Sequence, residues 1–376
     1  KLTEGEMDSV HAGWKSRWIR PELPTFAEAP RAVLPSLVVM RAEQGKSPYG
    51  AVEYLIEETT GAAGGHSSGW TKQQDFLCNG LESNKTYAYT IRLRDKYGNV
   101  SGLSKPAEVL TTLGKMNTCT MNFSQNRDFL KEGVQGTQWD GTLSDPLRNP
   151  EVMAIKGGKL RLQSKNTKWD GDAPNGIFIY KNVQGDFIAI AEVAAYPGWR
   201  GNGSILGNND AGLMVRVPDV DDADKGEDFL QLDMFLAWGV GNIWTSFDAE
   251  RGRPQEGNRT GDKANGFLMI ERRGEKFYMR TSPDGKNWAD MPRLPIVRAD
   301  IGKVSTLQVG FAHASYGDQS SWIEFKSLEI VTPGNSDNGS SALIGAGMVF
   351  VSISACGQEA AEIRQMCLLQ DFSVDL

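Results

Sequence analysis

Histidine is almost missing from this chain of 376 residues, which holds three: His11, His66 and His313. So few imidazoles leave little material for a histidine-based metal site. Cysteine is scarce as well, at four residues, which excludes a disulfide-dense small scaffold. No Cys-x-x-Cys pair suggests structural zinc, and neither Cys78 nor Cys119 has the motif context of a nucleophilic thiol. Cys356 and Cys367 are a candidate disulfide pair for an oxidising compartment. Positive charge is in deficit, with 40 Lys+Arg against 47 Asp+Glu and a net charge of −7. That balance argues against non-specific binding to nucleic acid or to anionic membrane. Long apolar runs are lacking too. The longest, Ala342 to Cys356, falls short of the ~20 residues a spanning helix needs, so no membrane span is expected. At Lys1, charged and polar residues stand where a secretory signal would carry its apolar segment, as expected of a mature product or a fragment of something longer.

What the chain does have is glycine, 42 residues of it, and length for more than one domain at roughly 150 residues each. Frequent glycine with short apolar runs points to turns, and therefore to strands. Val33 to Met40 forms an apolar cluster suited to a strand. Val52, Tyr54 and Ile56 alternate along one face, and Thr86-Tyr87-Ala88-Tyr89-Thr90-Ile91-Arg92-Leu93-Arg94 alternates strictly before the turn residues Asp95 to Asn99. Short strands at close spacing with no helical segment between them predict a small antiparallel sandwich over residues 25–113. Residues 1–24 read as a leader or linker.

The stretch from Gly80-Leu81 through the Tyr87-bearing strand to Gly98-Asn99-Val100-Ser101 resembles the second half of a fibronectin type III domain. The resemblance implies an Ig-like sandwich serving mainly as a spacer, with Trp70 and Tyr89 as core aromatics.

A second, longer series of strands follows over residues 118–334 and predicts a two-sheet jelly roll. Gly185-Asp186-Phe187, Ala211-Gly212-Leu213-Met214-Val215-Arg216, Ser282-Pro283-Asp284-Gly285-Lys286-Asn287-Trp288 and Gln308-Val309-Gly310-Phe311-Ala312 occur in that order. Together they resemble the concanavalin-A-like domain appended to some bacterial β-xylosidases. That resemblance implies a secreted or surface bacterial protein and a concave sheet face that meets glycans, but it fixes no activity. The fold class expected is therefore all-β: a small Ig/fibronectin-like sandwich followed by a larger concanavalin-A-like jelly roll. Residues 335–376 form a C-terminal tail. Within it, Ile353-Ser354-Ala355-Cys356 matches a bacterial lipid-attachment box at the wrong end of the chain, and a buried strand followed by a short helix is the expected reading.

Sugars are held by aromatic platforms with carboxylates, amides and arginines at their hydroxyls. Trp199, Trp238 and Trp244, set among turn and polar residues, are the first candidates; Trp139, Trp169 and Asp170 lie in polar loops and join them. Trp288 is expected to pack its own hairpin and Trp322 to face the core. For catalysis, Glu-x-Asp-x-x-Glu is absent, and His313 with Tyr316 is the one place where the histidine and tyrosine of a polysaccharide lyase stand close together. Asp219, Asp221, Asp222 and Asp224 lie in an acidic loop that offers oxygen ligands for calcium, although Ala223 and Asp224 break the EF-hand order. Sequons at Asn84, Asn99 and Asn122 matter only in a host that glycosylates secreted chains. Three readings of function follow. One is a non-catalytic carbohydrate-binding or accessory module pair outside the cytoplasm. The second is a polysaccharide lyase or glycoside hydrolase using the same face. The third is a structural protein that self-assembles or contacts neighbouring chains.

Overall fold

A computed structural model describes residues 3–5, 7, 19–112, 116–121, 123–169, 175–195, 209–218, 229–237, 240–248, 266–291, 294–317 and 322–333, with backbone alone at 195 and 234–248. The predicted acidic calcium loop, the 335–376 tail with its two cysteines, Trp199, Trp238 and Asp170 all lie outside these residues. The chain divides into two compact units, Lys1–Gly114 with Ser282–Ala289, and Lys115–Thr281 with Asp290–Leu376. Ser282–Ala289, drawn from within the second strand series, is thus grouped with the first unit.

The first unit holds β1 (Phe26–Leu34), β2 (Leu37–Ala42), β3 (Val52–Glu58), β4 (Asp75–Asn79), β5 (Thr86–Asp95) and β6 (Ala107–Leu110). They form two antiparallel sheets, β1-β2-β4 and β3-β5-β6. Alternation dictates the core: Val52, Tyr54 and Ile56 of β3 meet Tyr87, Tyr89, Ile91 and Leu93 of β5, with Val38 and Met40 from β2 in the same cluster. The Tyr87 hydroxyl accepts from the Glu82 N–H at 3.0 Å and donates to the Ala63 carbonyl at 2.6 Å. A strand tyrosine bonded a few residues upstream is the tyrosine corner of sandwich folds. Tyr89 lies in the core as expected, whereas Trp70 does not. Thr71 bridges Tyr54, and Trp70 stays part-exposed with the Arg94 guanidinium 4.4 Å above its ring. In the same unit the Asn79 amide clamps Trp288, accepting from its N–H at 2.9 Å and donating to its carbonyl at 3.2 Å.

The second unit begins with β7 (Met116–Met121), β8 (Arg127–Asp128), helix α1 (Phe129–Glu132), β9 (Gly141–Leu143), β10 (Pro150–Lys156), β11 (Lys159–Ser164), β12 (Ile177–Gln184) and β13 (Phe187–Ala195). It continues with β14 (Asn209–Arg216), β15 (Phe229–Ala237), β16 (Val240–Asp248), β17 (Gly266–Arg273), β18 (Lys276–Ser282), β19 (Ala289–Asp290) and β20 (Ile296–Val297). Helix α2 (Ala299–Gly302), β21 (Thr306–Ser315) and β22 (Ile323–Pro333) complete it. One sheet runs β19-β18-β17-β13-β22-β11-β10-β8, with β20 on β18 and β7 on β22; the other runs β16-β15-β14-β21-β12-β9. The ladders of β12, β14, β15, β16 and β21 pair antiparallel, as do those joining β10, β11, β13, β17 and β22, which makes this unit a two-sheet sandwich of jelly-roll type.

Alternating residues of both sheets interlock in one core that includes Ile179, Leu213, Val215, Leu230, Leu232, Val309 and Phe311. Phe311 and Phe325 stack there at 3.9 Å. Along β22 the core positions change phase, from Ile323 and Phe325 to Leu328 and Ile330. A register shift against Glu192, Val193 and Ala195 of β13 explains it, because an extra residue in a strand turns every later side chain to the other face. Trp322, expected to face the core, stands just before this strand and is 38% exposed; Ile323 takes the core position. In the same sheet Arg280 is almost wholly buried and donates to Glu271 at 2.8 Å and to Asp290 at 2.7 Å. Among the described residues no helix is long and apolar enough to cross a membrane.

Candidate functional site

The six-stranded sheet has two faces, and its strands read differently on each. The core takes Ala211, Leu213, Val215, Leu230, Leu232, Leu307, Val309 and Phe311. Period-two alternation therefore sends Asp210, Gly212, Met214 and Arg216 of β14, Phe229, Gln231 and Asp233 of β15, and Gln308, Gly310, Ala312 and Ala314 of β21 to the outer face. Phe178, Tyr180 and Asn182 of β12 extend the same face. Asp210, Arg216, Gln231, Asp233 and Gln308 thus stand on this face among apolar neighbours, Phe178, Met214, Phe229, Ala312 and Ala314.

Register aligns these residues in rows. One row runs Asp233, Gly212, Ala312, Phe178, and the next runs Gln231, Met214, Gly310, Tyr180. Gly212, Gly310 and Ala312 are the small residues at the middle of the face, beside Met214. Acceptors lie at one end, where the Gln231 amide donates to Asp210 Oδ1 at 2.9 Å and the Tyr316 hydroxyl donates to Asp210 Oδ2 at 3.3 Å. At the far end of β14, Arg216 donates to Gln308 Oε1 at 2.7 Å. Tyr180 stacks on Phe178 with ring centroids 5.4 Å apart. Asp210, Gln231 and Asp233 are buried, while Tyr180, Tyr316 and Leu143 form a part-exposed rim.

Trp169, expected as a loop platform, lies on this outer face. Its ring meets Phe229 and Phe178 edge-on at 5.7 and 6.4 Å, within the cluster that also holds Met214, Ala312 and Ala314. Its backbone N–H donates to the Tyr316 hydroxyl at 3.4 Å and Arg148 lies over the ring, so the indole is buried. The bare Cα of Gly176 makes room for it, since a Cβ there would run into the indole nitrogen. Trp139 is a core residue, stacked on Phe123 and edge-on to Phe311. Burial of both side chains removes them as exposed platforms. Trp244 pairs in register with Asp233.

His313 and Tyr316 do not meet as an acid–base pair. His313 sits on the core side, where the Ser164 N–H donates to its Nδ1 at 3.1 Å, and Tyr316 reaches Asp210 on the other side. Among the described residues no group of three His, Cys, Asp or Glu side chains could hold a metal ion, and Cys78 and Cys119 are free thiols. Burial pushes the Cys78 thiol up, away from reactivity, against smaller opposing hydrogen bonds from Tyr89 and His66.

Inspection of the sequence missed Asp210, Gln231, Asp233, Arg216 and Gln308. The available signal was Gln231-x-Asp233 and Asp210-x-Gly212-x-Met214-x-Arg216 interrupting strands that otherwise read as core.

No family model and no curated protein sequence matches this chain. Similar solved structures include a functionally unknown protein from Saccharomyces cerevisiae, at 14% identity, 53% of this chain, 98% of that one and a TM-score of 0.38. A GH43 protein from Bacillus licheniformis is similar at 13% identity, over 77% of this chain and 64% of that one, with a TM-score of 0.41. The metal-free lectin I-B4 from Griffonia simplicifolia is similar at 12% identity, over 57% and 99%, with a TM-score of 0.35. The fold rests on strand order and register in this chain itself.

Proposed function

We propose that the second unit is a non-catalytic carbohydrate-binding sandwich of a secreted or surface protein, and that the first is a fibronectin type III-like spacer. The observation that carries the reading is the outer face of the six-stranded sheet. It combines the aromatic cluster of Trp169, Phe178 and Phe229, a part-exposed rim of Tyr180 and Tyr316, and the polar group of Asp210, Gln231 and Asp233. Pyranose rings need such a combination: an aromatic wall for their C–H faces and fixed polar groups for their hydroxyls. Trp244, in register with Asp233, remains a candidate platform on the neighbouring strand. A glycan array probed with the whole chain tests the reading. Binding to at least one class of oligosaccharide is expected, and a blank array overturns it in favour of a structural role.

A hydrolytic reading is favoured by one observation, the placement of Asp210 and Asp233 on the same face of adjacent strands. Paired carboxylates are the working parts of glycosidases. New reducing ends released from a bound polysaccharide would decide for it; binding without release decides for the accessory module.

A further inference from the structure

The turn that leads into β5 carries a sequon, Asn84-Lys85-Thr86, that the sugar-binding reading does not use. N-glycan transferases read an asparagine amide together with a hydroxyl two residues on, with any residue but proline between them. Both groups must be within reach at once. Asn84 takes the left-handed conformation, φ 57°, which asparagine tolerates better than most residues. Its backbone is tied down: the Asn84 N–H donates to the Thr111 carbonyl at 3.0 Å, and the Thr111 N–H donates to the Lys85 carbonyl at 2.8 Å. Every residue from Glu82 to Thr86 is exposed. The Asn84 amide and the Thr86 hydroxyl enter no hydrogen bond among the described residues. The turn is thus held by its backbone while both acceptor groups face water.

The second sequon of this unit, Asn99-Val100-Ser101, is closed. Asn99 Nδ2 donates to Asp95 Oδ2 at 2.9 Å, and Asp95 is buried. The Ser101 hydroxyl, itself buried, accepts from the Leu93 N–H at 2.9 Å and donates to the Gly102 carbonyl at 2.8 Å. Freeing these groups for a transferase would leave a buried carboxylate and a strand N–H without these partners, which is costly. The sequon asparagine Asn122 lies outside the described residues.

We infer that Asn84 is an N-glycan acceptor of the first unit and that Asn99, in the folded chain, is not. The donor is a sugar carried on a diphosphate leaving group. Asn84 Nδ2 bonds to the anomeric carbon as that carbon's bond to the diphosphate oxygen breaks. The diphosphate leaves with the electron pair, and Nδ2 gives up one proton. The attached sugar stands on an exposed turn, where a bulky polar group disturbs no buried contact. The inference is independent of sugar binding by the second unit, since it uses residues of the first unit alone.

The test incubates the purified, folded whole chain with a soluble N-glycosyltransferase and UDP-glucose, and peptide mass spectrometry reads the sites. Synthetic peptides spanning residues 80–90 and 95–105 serve as unfolded references. Both peptides are expected to gain glucose, and the whole chain to gain it at Asn84 and not at Asn99. Asn84→Asp keeps a residue suited to the left-handed turn but has no amide nitrogen, so the product at this site should vanish. Thr86→Ala should abolish transfer to Asn84 and Thr86→Ser should retain it, with circular dichroism showing that each variant folds. A whole chain left unmodified at Asn84, or modified at Asn99 as readily as at Asn84, overturns the inference. Transfer to Asn84 that survives Thr86→Ala, or failure of either peptide to react, overturns it as well.

Discussion

Gly212 stands directly across from Asp233 in the β14–β15 ladder, and the absence of its side chain is what lets the backbone of β15 approach so closely. A Cβ at Gly212 would lie 2.7 Å from the Asp233 Cα and would run into the Leu232 carbonyl. Both obstacles are backbone, so neither can swing aside. Gly212→Ala is therefore expected to destabilise the second unit by about 1–3 kcal/mol through overpacking. It should also weaken sugar binding more than an alanine placed at exposed Asn182 does. Urea unfolding and titration of both variants check this, and an unaltered unfolding midpoint for Gly212→Ala refutes it.

The Arg280 site predicts a larger effect. Arg280 is buried with two acidic partners, Glu271 and Asp290. Burial pulls its basicity down, but the two carboxylates outweigh that and raise it, so the guanidinium remains charged throughout the usual pH range. Arg280→Ala leaves Glu271 buried without this cation and is expected to cost about 3–5 kcal/mol. Equilibrium unfolding measures the loss, and Arg280→Lys should recover only part of it, because an ammonium cannot reach both carboxylates with a planar fork.

His313 should be found neutral, with its proton on Nε2. The Ser164 backbone N–H can only donate, so the Nδ1 at 3.1 Å must carry a lone pair. Long-range nitrogen–proton correlation spectra at neutral pH identify the tautomer, and an imidazolium pattern would contradict the geometry. His313→Phe removes the acceptor from the buried Ser164 N–H and is expected to cost about 1–3 kcal/mol without altering sugar binding. A lyase built on His313 would instead lose its activity.

In the first unit, Tyr87→Phe deletes the hydroxyl that joins Glu82 to Ala63 while keeping the ring in the core. A loss of about 1–2 kcal/mol is expected, two modest hydrogen bonds with one buried end each. Tyr89→Phe, which leaves the corner intact, is the control, and equal losses in the two variants would mean that the corner contributes nothing of its own.

Asp284 offers a pH signature. The Asn287 and Lys286 backbone N–H groups, then the Asn287 amide and Ser282 hydroxyl, hold its carboxyl well below the usual carboxylate range. A group depressed in the folded state adds stability above its unfolded value of about 3.9, and that stability is lost as pH falls through the lower folded value. The Asp284 carboxyl is therefore expected to titrate at more acid pH than the other exposed carboxyls in a proton-detected carbon titration. Titration together with them would show the turn is not formed.

How far the sequence alone reached can be judged residue by residue. Val52-x-Tyr54-x-Ile56 and Tyr87-x-Tyr89-x-Ile91-x-Leu93 announced their buried faces, because the period of a strand is a property of the backbone and holds wherever the strand lies. The all-β class and the two strand series followed from the same local rule. Local pattern could not tell an exposed tryptophan from a buried one. Trp139 and Trp169 both stand in polar, glycine-bearing segments, and both are buried by residues distant in sequence. Nor could it separate His313 from Tyr316, three positions apart, whose partners Ser164 and Asp210 come from other strands. The acceptor group was hidden for the same reason: Asp210 and Gln231 are 21 residues apart and meet only through antiparallel register. Sequence by itself determined which residues alternate and where the chain turns. Tertiary structure decided which face meets the core and which charges and amides converge, because burial and register are set by pairing between strands that no local stretch contains.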